Sequence, residues 1–331
     1  MKKILSEIHI PDEVAKHYSD RFHLVYPDEE PGKFSPEYIS ENLKDACGYI
    51  GNTLTAKMID NAPKLEIASS SGAGFDGIDD RYAGSKGVWV MNAPSGTTEA
   101  TAELTIAILL CVTRKIFNHY RFFKESGICN AKGGLYADAF DNAPRSMLVF
   151  GKTLGIIGFG KIGKAVAKKA IGIGMKVIYY DVLRASEELE KEIGVRYVSF
   201  DELLKTADCV TIHTILSPET KHIMGAKQFG MMKPDAYFIN AGRGGLMDEK
   251  ALISAIKNKK IAGAALDVFE NEPGVSPELF DMDEVVIVPH IGTSIRECRV
   301  QMSTEALDGI AKQLSGGESP TIVNRKYYKA K

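Results

Sequence analysis

Residues 153–181 constrain the fold more than any other stretch of the chain. An apolar run, TLGIIGF, leads into Gly158-Phe159-Gly160-Lys161-Ile162-Gly163. Ile162, Val166, Ala167 and Ala170 then recur at helical spacing, and KVIYYD closes the segment. Strand, glycine turn, helix and second strand in this order make one βαβ unit, the building block of parallel sheets with crossover helices. The three glycines have separate uses. Gly158 permits the tight turn, Gly160 lets the backbone approach a pyrophosphate, and Gly163 lets helix and strand pack closely, while the helix N-terminus offers unpaired N–H groups and a positive dipole to phosphate. Taken alone, such a turn is also compatible with binding nothing. Asp181 adds weight because it ends the second strand 18 residues after Gly163, close to the ~20-residue spacing at which a carboxylate accepts hydrogen bonds from an adenosine ribose. Its charge would repel a 2′-phosphate. The segment therefore predicts NAD as cofactor, NADH preferred over NADPH, with nearby Arg184 able to soften that preference.

At 331 residues the chain exceeds the size at which one core usually keeps growing, and two domains with a cleft between them are expected. Short, almost wholly apolar strand candidates follow at residues 209–213, 236–240, 264–266 and 285–288, with a helical stretch at 249–257 between the middle pair. Continuous apolar runs of this kind suit strands buried on both faces of a parallel sheet. The first hundred residues alternate more weakly, with a strand at 64–69, a helix start at 76–84 and a strand at 87–91. EATAELTIAILLCVTRK reads as one long helix, polar at both ends and apolar within, and marks the crossing between domains. The last forty residues hold a helix over 297–314 and a polar tail, too little for a domain, and are expected to pack back onto the N-terminal lobe. The expected fold class is α/β with two Rossmann-like or flavodoxin-like domains. An NAD-binding doubly wound parallel sheet spans 99–292, and a smaller, discontinuous substrate domain is built from 1–98 and 293–331.

The 41 Lys+Arg nearly balance the 43 Asp+Glu, and neither sign gathers into a long run, which excludes a nucleic-acid arm or an acidic tail. Cys47, Cys111, Cys129, Cys209 and Cys298 are odd in number and never form a C-x-x-C pair, which argues against a disulfide framework or zinc site and fits a reducing cytoplasm. No metal is implied. The opening residues meet Ser6 and Glu7 before a leader's apolar region can form, and the apolar run at 104–112 is too short to span a bilayer, so a soluble chain with no membrane partner is expected.

Three stretches hold polar residues where a plain strand end would not need them: NAGRGG from Asn240, LDVFENEP from Leu266, and PHIG from Pro289. Each follows a predicted strand, and ligands of open α/β sheets sit beyond the strands' carboxyl ends. Singly, Arg243 could be a surface-paired arginine, Glu272 an acid in a proline-bounded turn, and His290 a histidine satisfied at a strand end.

From residue 64 to 324 the chain resembles the D-isomer-specific 2-hydroxyacid dehydrogenase family. The likeness rests on SGAGFDGID, ATAELTIAILL, GKTLGIIGFGKIG, MKPDAYFINAGRGGLMDEKAL, IAGAALDVFENEP and PHIG, in the family's order and spacing. The resemblance implies that Arg243 binds substrate, Glu272 is the acid partner, and His290 donates and accepts the proton. The chemistry suits them. A guanidinium can clamp the carboxylate and ketone oxygens of a 2-keto acid bidentately. An imidazole titrating near neutrality can protonate the oxygen as hydride arrives, and a neighbouring carboxylate orients it and favours its charged form. The resemblance further implies that backbone of Ser71, Gly72, Ala73 and Gly74 meets the substrate carboxylate. It also implies that Lys161 and Ile162 contact the cofactor through backbone, that Ala241 and Gly242 lie beside the nicotinamide, that Asp267 and Thr101 lie near its carboxamide, and that Gly292 is a further cofactor contact. His213 is read as adenine-side wall, without a chemical role.

Within the family, ATAEL at residue 100 and PHIG look closest to glyoxylate/hydroxypyruvate reductases. D-3-phosphoglycerate or D-lactate dehydrogenases are the neighbouring alternatives, and an NAD-sensing, corepressor-like binding protein is the alternative of another class. Members usually form homodimers. The chain departs from the family pattern in Gly242, where Ser or Ala is common, in Thr293-Ser294-Ile295 after PHIG, and over residues 118–148, which lack the tryptophan many members carry there; Trp89 is the one Trp of this sequence.

Overall fold

The computed structural model describes residues 1–27, 35–127 and 146–330. The chain separates into two compact units, Met1–Thr97 with Thr293–Lys331, and Thr98–Gly292. In the first, Lys2–Ser6 (β1), Phe22–Val25 (β2), Gly48–Ile50 (β3), Ile67–Ser69 (β4) and Trp89–Met91 (β5) form a parallel sheet ordered β2-β1-β3-β4-β5. The opening residues, legible in the sequence only as unfit for a leader, are thus an interior strand. Ile4, Leu5 and Ser6 are all fully buried, and a strand covered on both faces has no alternation to reveal it. The strand expected over 64–69 is shorter, beginning at Ile67, because Leu65 and Glu66 donate to Ala62 and Cys47 in a turn.

The C-terminal segment closes this unit. After the helix Arg296–Leu314, Ile322 bridges antiparallel to Met91, and the Val323 amide donates to the Val90 carbonyl at 2.9 Å. Asn324, fully buried, accepts from the Val90 amide and donates to the carbonyls of Asp80 and Val88. Edge strand β5 is therefore capped by chain from the far end of the sequence.

The second unit holds Thr153–Ile157 (β6), Lys176–Tyr180 (β7), Val195–Tyr197 (β8), Cys209–Ile212 (β9), Tyr237–Asn240 (β10), Gly263–Leu266 (β11) and Val285–Ile287 (β12). All pair in parallel, in the order β12-β11-β10-β9-β6-β7-β8. Successive residues feed opposite faces. Ile156, Tyr179, Cys209, Tyr237 and Ala265 join Ala102, Leu109 and Val112 of the helix Thr97–Thr113, whereas Ile157, Ile178, Val210, Phe238 and Leu266 join Leu252 and Ile256 of the helix Glu249–Lys257. Both faces are covered, as in a doubly wound sheet. The strand order reverses between β6 and β9, the switch point at whose carboxyl edge such sheets bind ligands. Among the described residues no helix is long and apolar enough to cross a membrane.

Candidate active site

The glycine turn leaves β6 at that switch point. Gly158 has φ +90°, and a Cβ on it would lie 2.7 Å from the His213 backbone at the end of β9. A Cβ on Gly163 would sit 2.2 Å from the Gly158 carbonyl oxygen, so the helix Lys161–Gly172 packs against the turn only because that position is bare. Gly160 differs. Nothing lies within 4 Å of its would-be Cβ, it is exposed, and it starts the helix without a side-chain cap. The first-turn amides, including those of Lys161 and Ile162, have no carbonyl partner within the helix. This is a phosphate cradle open on one side, and it fits a dinucleotide. Asp181 lies against it, accepting from the Phe159 amide at 2.6 Å and from the Leu183 amide at 3.0 Å. Arg184 is turned away onto Glu190, at 2.8 and 2.9 Å.

Strands β10, β11 and β12 deliver the remaining polar groups at their carboxyl ends. Buried Asn240 folds the first loop on itself: its Nδ2 donates to the Arg243 carbonyl at 2.9 Å, and its Oδ1 accepts from the Gly242 amide at 3.0 Å. Ala241 is buried and Gly242 half-buried within this turn. Arg243 leaves it in extended backbone, its Nη1 donating to the Gly242 carbonyl at 2.8 Å. The loop presses on its neighbour so closely that a Cβ on Gly244 would lie 1.9 Å from the Phe269 carbonyl oxygen.

Glu272 accepts from the Phe269 amide through Oε1 at 2.9 Å and meets His290 Nδ1 through Oε2 at 2.8 Å. His290 has φ +53°, a left-handed backbone that aims its ring back from the end of β12. Asp267, 1% exposed, accepts from the amides of Ile291 at 2.6 Å and Gly292 at 2.9 Å, fixing the backbone just beyond the histidine. Buried Thr101 also faces Gly292, its Oγ1 3.6 Å from that residue's would-be Cβ. Thr101, Asp267 and Gly292 thus converge, as do Glu272 and His290.

The hydrogen bond to Glu272 holds the His290 imidazole above its ordinary value against the opposing effect of burial, with the charges of Glu272 and Asp267 assisting. Burial pushes Glu272 up, but its hydrogen bonds to His290 and the Phe269 amide outweigh that, and it titrates low. Glu272 is therefore the carboxylate and His290 Nδ1 the donor, so Nε2 takes no part in this bond. A reduction that draws its proton from His290 is expected to run below the histidine's pKa and to be lost as pH rises through it. Glu272→Gln is expected to move that loss to lower pH, read as kcat/KM for reduction against pH; a limb that stays in place would take Glu272 out of this role.

A second acid–histidine pair had no signal in the sequence beyond its residue types. His222 meets Glu270 at 2.6 Å, and Glu270 and buried Glu249 each accept the other's backbone amide at 3.2 Å. These residues brace the turn that carries Glu272.

Ser71–Gly74 belong to the first unit, one residue beyond the end of β4. The carbonyls of Gly72 and Ala73 accept from the Ala93 amide and Asn92 Nδ2, the Gly74 carbonyl accepts from the Ser70 hydroxyl, and Ser71 Oγ bonds Asn52. Among the described residues nothing accepts from the amides of Ser71, Ala73 and Gly74. Of the weakly matching stretch 118–148, residues 128–145 lie outside the described residues.

The family model described as D-isomer specific 2-hydroxyacid dehydrogenase, NAD binding domain, matches residues 106–292, more than half of the chain. The chain belongs to the D-isomer-specific 2-hydroxyacid dehydrogenases. It is accordingly an oxidoreductase acting on CH–OH donors, with a nicotinamide-cofactor domain. A glyoxylate reductase from Thermococcus litoralis is 42% identical over 272 residues, covering 81% of this dehydrogenase and 80% of the relative. Among solved structures, a glyoxylate reductase from Paecilomyes thermophila superposes with TM-score 0.83 at 28% identity, covering 98% and 99% of the two chains. An NADPH-dependent glyoxylate/hydroxypyruvate reductase from Sinorhizobium meliloti, in complex with NADP and malonate, gives 0.82 at 26% identity, covering 100% and 99%.

Proposed function

We propose that this dehydrogenase reduces a small 2-keto acid of the glyoxylate or hydroxypyruvate class to the D-2-hydroxy acid, using NADH in preference to NADPH. The observation that carries the reading is the 2.8 Å hydrogen bond from His290 Nδ1 to Glu272, formed at the strand edge that also presents Arg243 and the phosphate cradle. The names of the relatives support the substrate class.

Gly158, Gly160, Lys161, Ile162 and Gly163 hold the pyrophosphate, Asp181 the adenosine ribose, and Thr101, Ala241, Gly242, Asp267 and Gly292 the nicotinamide end. A bound nicotinamide supplies hydride to the keto carbon, or takes it back in oxidation. Arg243 clamps the substrate's carboxylate and carbonyl oxygens, and in the Ser71–Gly74 turn the amides of Ser71, Ala73 and Gly74 add donors to the carboxylate, with Gly72 keeping the backbone bare between them. His290 Nε2 delivers a proton to the carbonyl oxygen as charge builds there, and Glu272 stabilises the imidazolium before the transfer and orients the ring after it. Ile116, Phe117, Tyr120, Phe122 and Phe123, all 47% or more exposed on the helix Ile116–Ser126, support assembly as a homodimer.

Steady-state rates with glyoxylate, hydroxypyruvate, pyruvate and phosphohydroxypyruvate, each with NADH and NADPH, test this reading. The highest kcat/KM is expected with one of the first two and NADH. Pyruvate or phosphohydroxypyruvate in front would make the protein a D-lactate or D-3-phosphoglycerate enzyme. No turnover with any of the four, together with NADH-dependent assembly, would make it a cofactor-sensing binding protein.

A further inference from the structure

Arg184 stands three residues beyond Asp181, where a cation would meet a phosphate on the adenosine 2′-position, yet its fork is already committed. Nε and Nη2 donate to the two oxygens of Glu190 at 2.8 and 2.9 Å, and the guanidinium lies 5.5 Å from the centre of the Tyr197 ring. Glu190 is 8% exposed and belongs to the helix Glu187–Ile193. Its Oε1 also accepts from the Tyr179 hydroxyl at 2.7 Å, and that hydroxyl accepts from the Ala185 amide at 2.9 Å. The Tyr179 ring stacks 3.9 Å from Phe159, the residue whose amide binds Asp181. The clamp is therefore tied into the glycine turn at one end and the ribose carboxylate's loop at the other.

We propose that Glu190 is a specificity-determining residue for the cofactor: by holding Arg184 bidentately it withholds the cation a 2′-phosphate needs, reinforcing the exclusion begun by Asp181. The inference rests on the nicotinamide-dinucleotide reading above. With Nε and Nη2 bound to Glu190, the fork keeps only its outer Nη hydrogens for a second anion, and Glu190 fixes the direction in which they point. To grip a 2′-phosphate with the inner edge it must abandon Glu190 and leave a nearly buried carboxylate without its cation, which is costly, and at the outer edge that carboxylate already offsets its charge. Nor does acidity release the clamp at working pH, because the Arg184 hydrogen bonds and that from Tyr179 hold the Glu190 carboxyl down at about 2.

Glu190→Gln keeps the side chain's shape and an acceptor for Tyr179 but removes the charge that fixes the fork. Dissociation constants measured by calorimetry for NADH, NADPH and adenosine 2′,5′-bisphosphate are expected to show NADPH and the bisphosphate binding the variant about tenfold tighter or more, the worth of a charge-assisted hydrogen bond. NADH should change by less than about threefold, which also reports that the variant is folded. Adding Arg184→Ala to Glu190→Gln should abolish the gain. Arg184→Ala alone should leave NADPH affinity within about threefold of native, since the native arginine is not available to the ligand. An E190Q protein that binds NADH normally without gaining NADPH affinity, a gain that survives loss of Arg184, or a weakening of NADPH binding by Arg184→Ala alone would each overturn the proposal. Native protein that binds neither dinucleotide would instead overturn the cofactor reading beneath it.

Discussion

Replacing His290 with Ala is expected to lower kcat by about 10²–10⁴, the usual worth of a positioned general acid, while NADH still binds with near-native affinity. The division follows from where the ring is held. Its Nδ1 is bound to Glu272, whereas the glycine turn Gly158–Gly163 depends on β6, β7 and β9 and, among the described residues, shares no hydrogen bond with it. His290 occupies a left-handed backbone at φ +53°, which alanine adopts at a cost of about 1–2 kcal/mol, so His290→Asn is the better control. Asparagine tolerates that backbone and can still reach Glu272, but it cannot shuttle a proton. Both variants should bind NADH and fail in turnover. Loss of NADH binding in His290→Asn would show that the ring maintains the site's shape and not its chemistry.

Arg243→Ala should lower kcat/KM for the keto acid by about 10²–10⁴, because two charge-assisted hydrogen bonds at about 1.5–3 kcal/mol each disappear. Arg243→Lys should recover only part of this, a point charge being unable to grip two oxygens in one plane. The loop itself should survive, since Asn240 binds the main-chain carbonyl of residue 243 and not its side chain. NADH titrations report the loop's integrity and keto-acid kinetics report the clamp. Equal kinetics for Arg243→Lys and native enzyme would remove the bidentate role.

What the sequence revealed was local. The glycine turn, the helix Lys161–Gly172 and the helix Glu249–Lys257 were readable because spacing and glycine placement act within a few residues. Arg243, Glu272 and His290 stood out as polar groups after apolar runs, and the structure brings Glu272 and His290 into contact from β11 and β12. Strands β1, β3 and β8 escaped notice: β1 and β3 are buried on both faces and show no two-residue period, and β8 is only three residues long, too short for its alternation to register. The Glu190–Arg184 clamp and the His222–Glu270 brace were invisible for another reason. Each is set by how a loop turns back on its neighbour, 48 positions away for His222 and Glu270, and nothing in their spacing announces it.

The capping of β5 by residues 321–324 has a consequence for biosynthesis. The ribosome finishes the N-terminal sheet long before it makes the piece that seals it, whereas Thr98–Gly292 is contiguous and can fold as soon as it emerges. At ordinary elongation rates the wait is on the order of ten seconds or more, with a strand edge left open to stray pairing. Nascent chains stalled near residue 292 should yield a protease-resistant middle and a digestible beginning; the first part translated is the last to become native.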